Sequence, residues 1–174
     1  MLELIIGNAC SLLAMCTDAI SSWAKSAKKM LLAQCLSQGI YCIGAIVLKG
    51  YSAAVQNVIS LARNLFATRK RALPVVEWIL IALGVILGLY FNNRSYLGLL
   101  PVVANLQYAL AILFFKDNEQ LLKISFFIDV LLFGIFNTVI LNLVGTVSNV
   151  IVMVMTMIAI IKAARQKRTH AKQD

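Results

Sequence analysis

The stretch QCLSQGIYCIGAIVLKGYSAAVQNVISLARNLFATRKR, Gln34 to Arg71, decides how the chain is read. An apolar span runs to Leu48, breaks at Lys49-Gly50, resumes at Tyr51 and stops at the basic run Arg69-Lys70-Arg71. A hairpin of two membrane helices is predicted. Inside it lie Gln38, Gln56, Asn57, Arg63 and Asn64. Amides and a guanidinium at membrane depth are expensive unless they face protein or a water-filled cavity. The hairpin therefore has the composition of one that lines something.

The same design returns between Leu121 and Lys162. Two apolar spans are separated by a short break near Leu141-Asn142 and closed by basic residues. Val55-Gln-Asn-Val-Ile59 matches Val147-Ser-Asn-Val-Ile151, which sets Asn57 against Asn149. Gly44 corresponds to Gly134 with a small shift, and Gln38 falls nearly opposite Asp129. An internal repeat of this kind sets the fold before any other feature does.

Outward from the two hairpins, the whole chain is apolar. Of 174 residues, 61% are hydrophobic and 13% charged, and the mean hydropathy is +0.86. That is far above a soluble domain and leaves no room for a separate one. Spans of about 20 apolar residues are predicted at Leu2–Trp23, Met30–Leu48, Tyr51–Thr68, Leu73–Phe91, Tyr96–Phe115, Leu121–Ile140 and Leu143–Ile161. The start, Met1-Leu2-Glu3, lacks the basic segment of a cleaved signal peptide, so the first span is expected to stay. Cys10, Cys16, Cys35 and Cys42 read as small hydrophobes within spans, with a helix-to-helix disulfide as the alternative.

Charge fixes the expected topology. The net charge of +9 does not form a nucleic-acid face, because the basic residues sit in short clusters between spans. Seven spans place Lys25, Lys28, Lys29, Arg69, Lys70, Arg71, Lys116, Lys123, Lys162, Arg165, Lys167, Arg168 and Lys172 on one side. Lys49 and Arg94 fall on the other, and Arg63 lies within a span. The rule that basic loops stay cytoplasmic then predicts an outside N-terminus and a cytoplasmic C-terminus. Trp23, Trp78 and Tyr96 stand near span ends, as interfacial aromatics do.

The fold class expected is an all-α membrane protein of seven transmembrane helices. Two parallel three-helix repeats, residues 1–71 and 95–163, flank a linker helix at 72–94, and a basic cytoplasmic tail follows at 164–174. Three helices per repeat plus one linker give both repeats the same orientation, and a substrate path is expected where the repeats meet. His170, alone in the tail, has no metal partner in the sequence.

Two resemblances bear on this. Gln38-Gly39-Ile40-Tyr41 with Gly44-Ala45, then Gly50-Tyr51-Ser52-Ala53, Asn57 and Arg63-Asn64, resemble the signature of the YgjV-type bacterial inner-membrane proteins over residues 10–71. That likeness implies a bacterial inner membrane location and carries no substrate with it. The 3+1+3 layout is similar to the SWEET and PQ-loop transporters and to the PnuC-type nicotinamide riboside transporters. In SWEET-type proteins an asparagine on helix 3 and its mate on helix 7 face the substrate, which implies that role for Asn57 and Asn149. The departures are a missing Pro-Gln pair and no proline in helices 1, 2 or 6. Pro101 is the one candidate hinge.

Candidate substrate-binding residues are thus Asn57, Asn149, Gln38, Asp129 and Tyr41. Amides both donate and accept, which suits a neutral polar solute such as a sugar or nucleoside. The competing reading is that they join helices. Asp129, a carboxyl group at mid-span, points to cation or proton binding or to a structural hydrogen bond. Asp18 and Arg63 lie at comparable depth and are expected to form an ion pair, or a gate, near the cytoplasmic side. Asn105 and Gln107 are further cavity candidates.

No catalytic set, phosphate loop or metal spacing occurs, so no enzyme, cofactor or metal is expected. The expected function is small polar-solute transport, as a facilitator or proton-linked. The alternatives are the substrate-capture subunit of an energy-coupled importer and a structural or interaction membrane protein. Expected partners are the lipid bilayer, the solute and a possible second copy of the chain, with no nucleic acid.

Overall fold

A computed structural model describes residues 1–68, 74–93, 95–115 and 117–170, with the side chains of residues 74 and 166–170 excepted. The basic run at 69–71, Arg94, Lys116, Lys172 and the side chains of Lys167, Arg168 and His170 lie outside it, as do the expected boundary at 71/72 and the end of the tail.

Seven α-helices are described: α1 (Leu2–Ser22), α2 (Ala27–Val47), α3 (Tyr51–Ala67), α4 (Pro74–Tyr90), α5 (Leu100–Phe115, entered through a 3₁₀ turn at Ser95–Leu99), α6 (Glu119–Val139) and α7 (Leu143–His170). The described residues contain no strand. Five segments are long and apolar enough to cross a membrane: Leu2–Ser22, Ala27–Val47, Ser95–Phe115, Glu119–Val139 and Leu143–Arg165. α4 is apolar but shorter, and α3 is both short and polar. α7 runs on to His170, so the first residues of the expected basic tail continue the helix. Pro101 stands in the first turn of α5, where a missing N–H breaks no intrahelical bond, so it does not bend the middle of a span.

The local causes of these elements recur. Ser26 starts α2 by accepting a hydrogen bond from the Lys29 amide, and Asn118 starts α6 by accepting from the Leu121 amide (3.2 Å). α2 ends with Lys49 in the left-handed region (φ 57°) and the Gly50 amide bonded back to Ala45 O at 2.8 Å. α6 ends with Leu141 (φ 58°) and the Asn142 amide bonded back to Asn137 O at 2.9 Å. Both are the six-to-one closure that finishes a helix and turns the chain at once. Ser26 and Asn118, Lys49 and Leu141, and Asn57 and Asn149 are all the same sequence distance apart. Under that offset Gly44 answers to Phe136 rather than Gly134, and Gln38 to Val130, one residue beyond Asp129.

Packing makes a ring. α1 packs on α2 and α7, α2 on α3, α3 on α5, α5 on α6, and α6 on α7; α4 lies outside against α3 and α5. Polarity is inverted relative to a soluble protein. Leu, Ile and Val crowd the exterior, while Ser, Asn and Gln are buried. On α3 the outward residues are Tyr51, Val58 and Leu65, one apolar stripe, and the polar residues turn inward. Because lipid is as apolar as leucine, side-chain hydrogen bonds and close packing must hold such helices together. Ser22 and Thr156 join α1 to α7 (2.7 Å), and Ser125 donates to Gln107 between α6 and α5 (2.8 Å). Gly7 and Gly44 let α1 and α2 approach closely: a Cβ on Gly44 would meet Cys10 Cβ at 3.0 Å. Cys10, Cys16, Cys35 and Cys42 are free thiols.

Candidate functional site

A cavity of about 50 Å³ lies inside the ring. Gln38 and Tyr41 of α2, Asn57 of α3, Asp129 of α6 and Asn149 of α7 all line it, joined by Asp18 of α1. The five residues singled out in the sequence for a solute are therefore brought together. Ser11, Asn137 and Asn142, which sequence reasoning passed over, complete its polar lining. No Lys, Arg or His lines it among the described residues.

These groups are well buried and incompletely bonded. Asp18, Asn57 and Asn149 are each 4% exposed, Asp129 6% and Gln38 9%. Asp18 Oδ1, Gln38 Oε1, Tyr41 Oη and Asn149 Nδ2 have no hydrogen-bond partner in the protein. Ser37 and Tyr41 stand beside the Asp18 carboxyl group without bonding to Oδ1. A buried polar atom without a partner costs about 1–3 kcal/mol, and native interiors leave few. Four of the eight such atoms among the described residues gather around this cavity, and together they suit an occupant that donates to carboxyl and amide oxygens and accepts from an amide.

The cavity has a floor and a roof. Phe126 and Val130 line it and also belong to the main apolar cluster, with Met30, Leu31, Tyr108, Ile112, Leu122 and Val152. That cluster closes the end away from the two hairpin turns. Toward the turns the lining is Leu48, Ile140 and Asn142. Asn142 is held by donating to Ser11 Oγ at 3.0 Å and by accepting from the Gly145 amide at 2.9 Å, so it caps α7 while facing the cavity.

Arg63 is not where the sequence led one to expect. It forms no ion pair with Asp18. Instead Nη1 donates to the Asn105 backbone carbonyl at 3.2 Å and to Asn105 Oδ1, and Nη2 donates to Ser60 Oγ at 3.4 Å. Its guanidinium carbon sits 5.4 Å from the Tyr108 ring centroid. The reason is rotational: Asp18 points into the ring, while Arg63 points from α3 toward α5. Arg63 still acts through space on Asp129. Asn105, an expected cavity residue, is the hub of this clasp. It also accepts from Ser60 Oγ (2.7 Å) and donates to Gln56 Oε1, while Gln56 Nε2 donates to Gly84 O of α4 (2.7 Å). Gln107 likewise binds Ser125 rather than the cavity.

The clasp makes a prediction. A Cβ on Gly88 would run into Gln56 Nε2 and would lie 2.7 Å from Val102 Cγ2. Gly88→Ala should displace Gln56 and break its bond to Gly84, lowering stability by about 1–3 kcal/mol. A thermal midpoint equal to the parent's would refute the assignment.

A family model described as Imp-YgjV, bacterial inner membrane protein, matches residues 5–167. The match extends well beyond the residues 10–71 that carried the resemblance. No curated protein matches, and no solved structure matches. The likeness to SWEET, PQ-loop and PnuC-type transporters thus has no matching structure behind it.

Proposed function

The chain belongs to the Imp-YgjV family of bacterial inner membrane proteins, and on that premise we propose that it is a small polar-solute transporter. The observation that supports this most is the cavity ringed by Asp18, Gln38, Tyr41 and Asn149 with unpartnered polar atoms. Other buried atoms without a partner, on Gln34, Ser52, Arg63 and Asn64, lie apart from this cavity, so it is the gathering of four around one space that supports the reading. The proposal places the site between two parallel repeats, α1–α3 and α5–α7, with α4 as the linker. The recurring caps, the paired left-handed turns and the matched positions of Asn57 and Asn149 favour that reading.

Size limits the solute. About 50 Å³ holds a few waters, whereas pockets for larger ligands measure about 300–1,000 Å³. A sugar or nucleoside requires the ring to widen beyond this space. The floor blocks the end away from the hairpins, so opening on the hairpin side is the shorter path. With no phosphate loop in the sequence, movement is facilitated or proton-linked rather than powered by ATP, and no enzymatic step is proposed.

Thermal-shift screening of the purified protein with neutral polar metabolites tests the site. Asn57→Ala and Asn149→Ala should each weaken the binding of any stabilising compound by about 1–3 kcal/mol, roughly ten- to a hundredfold. The unliganded midpoint should hardly move. Loss of stability with no compound affected would favour a purely structural protein.

Orientation is proposed from charge. Lys49 in the α2–α3 turn is expected to face outside, with the C-terminus cytoplasmic. Lys49→Cys should react with an impermeant thiol reagent added to intact spheroplasts, measured in a background with the four native cysteines replaced. Labelling only after lysis would reverse the topology.

A further inference from the structure

We propose that the cavity holds one small monovalent cation of sodium size, bound by Asp18 Oδ1, Gln38 Oε1 and Tyr41 Oη. This rests on the reading of the cavity as a binding site and adds the class of its occupant. The three oxygens belong to cavity-lining residues of α1 and α2, and each lacks a hydrogen-bond partner. Asp18 and Gln38 are at least nine-tenths buried. All three atoms can accept a cation, and oxygen donors of this kind suit hard ions.

Charge points to a single positive ion. Two carboxyl groups, Asp18 and Asp129, line the cavity and are close enough to act on each other. The charged or titratable groups around them are Tyr41 of α2, Arg63 of α3 and Tyr108 of α5; α7 contributes the neutral Asn149. Arg63 acts on Asp129 and shares its influence with Glu77 of α4. Asp18 is flanked by Ser37 and Tyr41, neither of them basic. Arg63 offsets Asp129 and Glu77 only between them, and Asp18 has no basic neighbour at all among the described residues. An ion taken out of water is stable in a membrane interior only when paired and coordinated. Of the three ligand oxygens only the one from Asp18 is charged, which matches an ion of charge one, and a bulky organic cation would exceed the space.

The experiment uses the full-length protein in detergent at pH 7.5. Sodium chloride is exchanged for choline chloride at constant ionic strength, and the unfolding midpoint is followed by tryptophan fluorescence. Sodium should raise the midpoint saturably and choline should not. Asp18→Asn should weaken apparent sodium affinity by at least about tenfold, while Asp18→Glu retains measurable binding. Gln38→Leu, which keeps the carboxyl group, should weaken it less than Asp18→Asn does.

Equal midpoints in sodium and choline would overturn the proposal, as would an unchanged sodium response in Asp18→Asn. A midpoint that follows pH from 6 to 8.5 but ignores sodium would also overturn it, in favour of a proton alone. Binding is measured without transport. A sodium response with no stabilising metabolite would leave the cation site standing without the transporter, and the converse would do the opposite.

Discussion

Asn105→Leu should be the most damaging single substitution in the membrane interior. Asn105 is 3% exposed and Arg63 2%. The substitution removes the Oδ1 acceptor used by both Arg63 and Ser60, and the donor to Gln56 Oε1. The Asn105 backbone carbonyl, Ser60 Oγ and the Tyr108 ring still meet the guanidinium, but one Arg63 N–H, Ser60 and Gln56 each lose a buried partner, at about 1–3 kcal/mol apiece. At about 2–4 °C per kcal/mol for a chain of this size, the midpoint should fall by roughly 10 °C or more. Adding Arg63→Met should recover part of the loss, because the N–H left without Oδ1 is then gone. That non-additivity is what separates a buried donor left without its acceptor from a simple packing defect. A midpoint change within about 1 °C for Asn105→Leu would mean that Arg63 draws its support from elsewhere.

The second large effect is expected from Ala53→Leu. Ala53 lines the cavity and is 5% exposed. The added atoms extend into empty space rather than into packed neighbours, so the fold should tolerate them better than a usual overpacking change of about 1–3 kcal/mol. Any occupant must then displace the new side chain against strain near the top of that range. Three kcal/mol corresponds to about a hundredfold in affinity. Sodium stabilisation and metabolite stabilisation should both disappear while the unliganded protein keeps its midpoint. Retained binding at parental affinity would place the occupant elsewhere.

Several of these positions are legible in the amino-acid sequence itself. Asn57 and Asn149 sit in matching pentapeptides, and Lys49-Gly50 and Leu141-Asn142 mark the α2–α3 and α6–α7 turns. Depth along a span is legible as well. Rotation about the helix axis is harder to read, and there the expected Asp18–Arg63 pair fails. The periodicity of α3 holds the correction. Gln56, Ser60 and Arg63, four and three residues apart, share one face, which meets α4 and α5. Ala53 and Asn57 share another, which meets the cavity. Ser11 lies two turns before Asp18 on the same face of α1, so its place in the lining is recoverable by the same rule. Asn142 escapes such a reading because a residue at a helical break looks like punctuation, although its side chain both caps α7 and reaches inward. The clasp around Asn105 has no signature within α5, since the side chains that bond it, Gln56, Ser60 and Arg63, all come from α3.

The polar inward face of α3 also bears on biogenesis. An arginine at the centre of a lone segment carries an insertion penalty of about 2.5–3.5 kcal/mol; Arg63, one turn from the end of α3, carries less, but α3 adds Gln56, Asn57 and Asn64 to it within 17 residues. The partner that shelters the guanidinium, Asn105, belongs to α5 and is synthesised only after α4 is complete. As a span, α3 is therefore expected to sit poorly in lipid until α5 is made. Insertion of the third helix is in this way tied to assembly of the fifth, and a chain truncated before residue 105 should leave α3 outside the membrane.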